Sequence, residues 1–110
     1  MGYYLKFIDT AEQYRFNLHA NNGEKILHSE GYTTEASCDN GIASCQINSQ
    51  SDSQYEDRLA KNDQFYFVLI AAGNNEIIGV SEMYTTTQAR DKGKASVKAN
   101  GDTTDIRKNY

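Results

Sequence analysis

One pattern of residues occurs twice in this chain. Ser-Glu-Gly-Tyr-Thr-Thr at 29–34 recurs as Ser-Glu-Met-Tyr-Thr-Thr at 81–86, 52 residues later. Upstream, Tyr-Arg-Phe-Asn-Leu at 14–18 corresponds to Phe-Tyr-Phe-Val-Leu at 65–69 with an offset of 51, so a one-residue length difference lies between Leu18 and Ile26. A hairpin turn accommodates such a difference most easily. Because each copy must bury its apolar face against the other, the duplication predicts two interdependent halves.

The apolar periodicity predicts three strands and one helix in each copy. Tyr14, Phe16 and Leu18 alternate with polar residues, which is typical of a strand with one buried face. Asn22-Gly23 indicates a type I′ hairpin turn. We expect strands at 3–9, 14–20 and 25–31, then a helix capped by Thr33 or Thr34 and ending near Asn48. In copy two we expect strands at 54–60, 64–72 and 76–83, a helix at 86–99 with a capping box from Thr85 to Gln88, and a last strand near 103–107.

This order of elements predicts an α+β protein with one largely antiparallel sheet. The sheet is expected to have seven strands, to curve, and to carry both helices on one face. A chain of 110 residues has room for one domain, so we expect residues 1–110 to form a single domain of two tandem repeats, 1–50 and 51–110.

The two predicted helices share a face of small residues. Shared positions fall within one narrow arc: Gly41, Ser44 and Asn48, with their counterparts Gly93, Ser96 and Asn100. A glycine inside a helix is less favourable than alanine by about 1 kcal/mol. The matched glycines therefore indicate that each helix approaches the sheet closely.

One strand of copy two is apolar on both faces. Tyr66, Val68 and Ile70 replace polar residues of copy one on the face opposite the expected core. Such a face is either covered within the chain or offered to a partner. Both alternatives stay open from the sequence, and Tyr66, Val68 and Ile70 form the candidate partner surface.

Composition limits the cellular setting and the cofactors. No apolar run approaches the roughly 18 residues of a membrane span, and no secretory signal begins the chain. We therefore expect a cytoplasmic protein without membrane contact. Cys38 and Cys45 lie seven residues apart, about 10 Å along a helix, which is too far for a disulfide. We expect both to be buried apolar residues, and no metal or other cofactor.

The repeated motifs resemble the YegP-like family of small, mostly bacterial proteins. The likeness rests on Tyr-Arg-Phe-x-Leu, the short hairpin turn, Ser-Glu-Gly-Tyr-Thr-Thr and Asn40-Gly41-Ile42-x-Ser44, and it spans nearly the whole chain. Copy two departs from it at Met83 and Lys94. The resemblance implies β(3)-α-β repeats, two of which form a single sheet curved as a half-barrel. It implies no reaction, and it brings no catalytic or binding residues to this chain.

The Ser-Glu-x-Tyr-Thr-Thr motif has a structural and a functional interpretation. In the first, it builds a corner between strand and helix, with a threonine cap and a packed tyrosine. In the second, Glu30 with Tyr32 and Glu82 with Tyr84 form two symmetry-related pockets for a small ligand. A Ser-His catalytic pair in His28-Ser29 is excluded, because successive strand residues point to opposite faces.

Charge is distributed unevenly along the chain. Residues 1–85 carry five basic and twelve acidic side chains, net −7, whereas 86–110 carry six and three, net +3. Arg90, Lys94 and Lys98 form one stripe on the second helix. A solvated charged face is the simple explanation, and an anion or RNA contact is the alternative.

These observations favour a non-enzymatic cytosolic scaffold that binds a protein partner or a small ligand. A nucleic-acid-associated accessory protein using the basic helix is the first alternative, and an enzyme without a recognisable motif is the second. We expect no catalytic residues, and a monomer in preference to a homodimer. The acidic body makes nucleic-acid binding the less favoured choice.

Overall fold

The computed structural model describes residues 1–110 and contains seven strands and two α helices. The first repeat forms β1 (Tyr3–Ile8), β2 (Tyr14–His19), β3 (Lys25–Ser29) and α1 (Glu35–Asn48). A 3₁₀ turn (Asp52–Gln54) follows. The second repeat forms β4 (Tyr55–Leu59), β5 (Phe65–Ile70), β6 (Ile77–Ser81), α2 (Thr87–Asn100) and β7 (Ile106–Lys108). The predicted order of elements is confirmed, with each boundary within a few residues of the structure.

The strands form one open sheet in the order β4-β5-β6-β3-β2-β1-β7. Antiparallel pairing of β3 with β6 joins the repeats at the centre, where His28 lies opposite Val80. The terminal β7 instead runs parallel to β1. The fold is therefore α+β with a mostly antiparallel, mixed sheet, as the sequence predicts.

Both helices pack on the same face of the sheet and share one core. The cluster of 14 buried residues includes Phe16 and Leu18 of β2, Phe67 and Leu69 of β5, three residues of α1 and Val97 of α2. Helix α1 contacts β5 and β6 of the other repeat as well as its own β2. Burial of a large apolar side chain stabilises a fold by about 1.5–3 kcal/mol, so the repeats stabilise each other through this interface.

A register shift near the hairpin loop places two consecutive residues in the core. Leu18 pairs with Leu27 and His19 with Lys25, which leaves Ile26 without a partner strand residue. Ile26 and Leu27 both belong to the buried cluster. The shift recurs between Leu69 and Ile70 in the second repeat. These β-bulges break the simple alternation on which the sequence prediction relied.

The predicted type I′ turn at Asn22-Gly23 is wrong. That turn requires positive φ at both central residues, but only Gly23 has a positive φ there, at 86°. Ala20 N–H donates to the Glu24 carbonyl, and Gly23 N–H donates to the Ala20 carbonyl. The loop is thus one residue longer than predicted and places a single residue in the left-handed region.

Each helix begins at the second threonine of its motif. Thr34 Oγ1 accepts a hydrogen bond from Ser37 N–H, and Thr86 accepts one from Ala89 N–H. The predicted capping box from Thr85 is therefore wrong, and the cap lies one residue later. Cys38 and Cys45 are free and buried in the core, as expected. Neither helix has the length and apolar character that a membrane span requires.

A buried lysine connects β1 to α1. Lys6 Nζ lies 2.8 Å from Glu35 Oε2 and 2.7 Å from Asp39 Oδ1. Tyr110 and Lys108 also donate to the Glu35 carboxylate, at 2.7 and 3.2 Å. The hydrogen bond from Lys6 is the main cause that lowers the pKa of Glu35 from 4.5 to about 2, and the donors Tyr110 and Lys108 lower it further.

Acid is therefore expected to weaken this connection. A carboxyl whose pKa is lowered by folding contributes stability above its unfolded pKa, and this contribution is lost as the pH falls through the folded value. Wild-type protein should lose stability more steeply between pH 4.5 and 2 than Lys6→Met, measured by urea unfolding at stepped pH. Lys61→Met, at an exposed position without an ion pair, is the control. Parallel pH profiles for wild type and Lys6→Met would contradict this role of Lys6.

Candidate ligand-binding grooves

The repeated serine holds the end of a strand in each copy. Two residues lie between Tyr14 and Asn17 on β2, but three lie between their partners Tyr32 and His28, so the second strand carries one extra residue. Ser29 compensates for it: its Oγ accepts a hydrogen bond from the buried Phe16 N–H at 2.9 Å and donates to the Glu30 carbonyl at 2.8 Å.

The same arrangement occurs in the second repeat. Ser81 Oγ accepts from Phe67 N–H at 2.9 Å and donates to the Glu82 carbonyl at 2.8 Å. The hydroxyl thus replaces a backbone acceptor at a point where the ladder is interrupted. This explains why serine occurs at the start of both motifs.

Each motif tyrosine packs against the glycine of its helix. Tyr32 and Tyr14 exchange two backbone hydrogen bonds of 2.8 Å, which fixes the tyrosine beside β2. The Tyr32 ring stacks on Phe16 at 6.4 Å, and its hydroxyl lies so close to Gly41 that an added Cβ would overlap it. Tyr84 occupies the corresponding place beside Gly93. The matched glycines do allow close packing, but against a tyrosine side chain rather than against the sheet backbone.

A groove of ≈ 230 Å³ lies beside Tyr32, between α1 and the β5–β6 hairpin of the other repeat. The helix side carries Ser37, Asn40, Gly41 and Ser44, and the hairpin side carries Ala71, Asn74, Glu76, Ile77 and Ile78. Glu76 is the single charged residue of this lining. The groove therefore exists only because the two repeats are packed together.

A second groove, of ≈ 380 Å³, lies beside Tyr84. Its lining consists of Glu24, Lys25, Ile26, Glu82 and Tyr84. Four of these residues have counterparts 52 positions away in the first groove: Glu76, Ile77, Ile78 and Tyr32. The grooves thus occupy equivalent positions in the internal repeat, each with a phenol from one copy and a carboxylate from the hairpin of the other, whereas helix residues line only the first.

The phenols of both grooves remain protonated at neutral pH. Burial is the main cause that raises the pKa of Tyr32 and of Tyr84 above the usual value. Nearby carboxylates, among them Glu76 for Tyr32 and Glu24 for Tyr84, raise it further. Whereas the hydroxyls of Tyr4, Tyr55 and Tyr110 donate to protein oxygens, those of Tyr32 and Tyr84 make no hydrogen bond within the chain.

Three of the four candidate ligand-binding residues lie on a groove. Tyr32 lines the first, and Tyr84 with Glu82 the second. Glu30 is exposed and lies outside the first groove, where Glu76 supplies the carboxylate. Glu24 and Glu76 are not among the binding residues that the sequence predicts. Their identity across the repeats was the signal that could have identified them.

The candidate partner surface on β5 is mostly covered within the chain. Val68 is 1% exposed between its cross-strand neighbours Glu56 and Val80. Tyr66 and Ile70 are half-buried. The accessible part of this surface is therefore small.

The basic stripe of α2 is paired with aspartates. Lys94 lies 2.8 Å and Arg90 3.5 Å from the Asp57 carboxylate of β4, and Lys98 lies 3.0 Å from Asp52. The stripe thus attaches the helix to β4 and to the 3₁₀ turn that precedes it, and aspartates balance much of its positive charge.

Comparison with known proteins identifies the repeat. The model of a family described as a domain of unknown function, DUF1508, matches residues 9–56 and again residues 60–107. The chain belongs to the DUF1508 family. Each DUF1508 match covers two antiparallel strands and a helix, and extends into the strand that follows, β4 or β7.

Bacterial proteins of similar length resemble this chain. A UPF0339 protein of Acinetobacter baylyi is 55% identical over 95 residues, which cover 86% of this chain and 85% of that protein. UPF0339 protein YegP of Escherichia coli K12 is 52% identical over 97 residues, covering 88% and 87%. The YegP-like resemblance is therefore confirmed.

Two solution NMR structures share the fold. The E. coli yegP structure, of a protein of unknown function, has a TM-score of 0.92 at 47% identity and covers 98% of this chain and 92% of that chain. UPF0339 protein SO3888 of Shewanella oneidensis has a TM-score of 0.90 at 48% identity, covering 97% and 90%.

Proposed function

We propose that this protein is a non-enzymatic binding protein of the cytoplasm whose two equivalent grooves take a small cationic ligand, such as an alkylammonium. The observation that carries the proposal is the pairing, in both grooves, of an unpartnered phenol with a carboxylate from the opposite repeat. Two free, buried cysteines are compatible with a reducing compartment.

The chemistry of the lining favours a cation. In the first groove Glu76 is the only charge, while Asn40 and Asn74 offer neutral hydrogen-bonding groups and Ile77 offers apolar contact. The charged residues of the second groove are two carboxylates, Glu24 and Glu82, and one ammonium group, Lys25. Both grooves therefore carry net negative charge, and a phenol oxygen can accept a hydrogen bond from an ammonium group.

The same observations weigh against the alternatives. Because their raised pKa keeps these phenols protonated at neutral pH, they are not available as bases but can still accept a hydrogen bond from a ligand, which supports binding over general-base catalysis. The stripe of Arg90, Lys94 and Lys98 is engaged by aspartates, so it offers little free charge to a nucleic-acid backbone.

An NMR titration with 1,4-diaminobutane, with phosphate and glycerol as comparison ligands, tests this proposal. We expect saturable shifts at the amides of Gly41 and Tyr84 with the diamine alone. Tyr32→Phe and Glu76→Gln should each weaken the first site, by about fivefold if one hydrogen bond is lost, and leave the second unchanged. Tyr84→Phe and Glu24→Gln should do the reverse.

Asp63→Asn provides the matched control. Asp63 lies in the β4–β5 turn outside both grooves, and asparagine tolerates its left-handed φ of 64°. Its affinity should equal that of wild type. Chemical shift changes that grow linearly with diamine concentration, appear at all acidic residues and disappear at modest salt concentration would instead indicate non-specific charge attraction. That result would overturn the proposal.

A further inference from the structure

The two edges of the sheet differ in whether a further strand or segment covers their backbone groups. At one edge β7 covers β1: Tyr4 N–H donates to the Asp105 carbonyl at 2.9 Å, and Asn109 N–H donates to the Lys6 carbonyl at 3.1 Å. At the other edge, β4 has β5 on one side and no strand on the other. Leu59, at the end of β4, is 60% exposed. An uncovered edge strand offers backbone donors and acceptors to a further strand.

The backbone alternation of β4 shows which residues face outward. Ala60 N–H donates to the Gln64 carbonyl of the β4–β5 turn, so the even-numbered residues Glu56 and Arg58 direct their backbone groups toward β5. The odd-numbered residues Asp57 and Leu59 therefore direct theirs to the open side. A strand that pairs with this edge in antiparallel orientation must bond to these odd-numbered residues.

This restriction leaves few registers for pairing β4 with β4 of a second copy. Centred on Asp57, the pairing places Glu56 of each chain opposite Arg58 of the other, as a non-hydrogen-bonded pair with closely spaced side chains. It also places Tyr55 opposite the exposed Leu59. The registers one step to either side place Glu56 opposite Glu56, or Arg58 opposite Arg58. Opposite charges thus meet in one register and like charges in its neighbours.

The centre of that register brings two Asp57 residues together, and each is already neutralised within its own chain. Lys94 Nζ lies 2.8 Å from Asp57 Oδ1, and Arg90 lies 3.5 Å from Oδ2. An edge strand of uniform charge would repel its own copy. The sequence Glu56-Asp57-Arg58, with Asp57 held by α2, instead complements itself.

We propose that β4 is a self-association edge, at which a second copy of this chain pairs antiparallel about Asp57 and extends the sheet across a two-fold axis. The strand has five residues, so the contact is far smaller than a standard interface of about 1,600 Å². Association is accordingly weak: the protein is monomeric at micromolar concentration and dimerises toward the millimolar range.

Sedimentation equilibrium of the charge variants tests the register, at concentrations from about 10 µM, where the protein should be monomeric, to about 1 mM, where it should dimerise. Glu56→Arg alone and Arg58→Glu alone each oppose like charges at two places, and each should weaken self-association by about tenfold. An equimolar mixture of the two variants should associate as wild type does, because every facing pair is then opposite in charge. The double variant Glu56→Arg/Arg58→Glu should also self-associate.

These variants keep the proposal testable because both side chains are exposed, and the ion pair that they form within one chain, Arg58 Nε to Glu56 Oε2 at 2.6 Å, is a surface pair of the kind that contributes little to stability. Circular dichroism melts confirm folding of each sample. Monomeric wild type throughout the range would overturn the proposal. The proposal would also be overturned if neither single variant changed the dissociation constant, because association would then use another surface. It would be overturned as well if the mixture of the two variants associated no more strongly than the average of the two variants measured alone.

Discussion

Gly41→Leu and Gly93→Leu are each expected to lower the free energy of unfolding by about 3 kcal/mol, the upper range for overpacking a well-filled site. A Cβ at Gly41 would already overlap the Tyr32 hydroxyl and lie 2.7 Å from its Cζ. The ring cannot withdraw freely, because it stacks on the buried Phe16 and its backbone is bonded to Tyr14. Urea unfolding measures the effect as a shift of the midpoint with an unchanged slope.

The control for this prediction is a leucine on the solvent side of α2, the helix that contains Gly93. Lys92 is exposed and makes no ion pair, so Lys92→Leu should change stability by no more than about 0.5 kcal/mol. Gly41→Ala should lie between the two, because a gain in helix propensity of about 1 kcal/mol opposes the overlap. If the two glycine-to-leucine variants unfolded at the same urea concentration as the wild type, the contact between glycine and tyrosine would not be tight.

Ser29→Ala and Ser81→Ala are each expected to destabilise the protein by about 2 kcal/mol, the cost of leaving a buried donor without a partner. Phe16 N–H and Phe67 N–H have these hydroxyls as acceptors, and both phenylalanines are fully buried. The two effects should be similar, because the corners have the same geometry in both repeats.

Ser53→Ala, on the exposed 3₁₀ turn, is the matched control and should be close to neutral. Calorimetry or urea unfolding gives the comparison. A neutral Ser29→Ala would mean that water or a shifted backbone carbonyl satisfies Phe16 N–H. The serine of the repeated motif would then need another explanation.

The sequence contained enough to predict the order of elements and the sheet class. Alternation along 14–18 and 65–69 identified the central strands, and the duplicated motif located both helix starts within one residue. These predictions succeed because they depend on local periodicity and on short-range capping, which the neighbouring residues largely determine. The matched glycines likewise indicated close packing at the correct positions.

What the sequence did not reveal depends on contacts between distant residues. The extra residues at Ile26 and beside Ser29 interrupt the ladder between β2 and β3, and an alternation pattern in the sequence does not show where such interruptions occur. Glu76 enters the groove beside Tyr32 only through packing of the second repeat on the first. The parallel docking of β7 on β1 joins the two ends of the chain. Each of these features follows from tertiary packing, which overrides local preference.

Amide hydrogen exchange of the Gly93→Leu variant tests the central claim, that the two repeats form one cooperative unit around a shared core. The substitution lies in α2, whereas Phe16 and Leu18 belong to the first repeat. If the repeats unfold together, the amides of Leu18 and of Leu69 should lose the same free energy of protection, equal to the global destabilisation. Loss of protection at Leu69 with Leu18 unchanged would show two independent units and contradict the account.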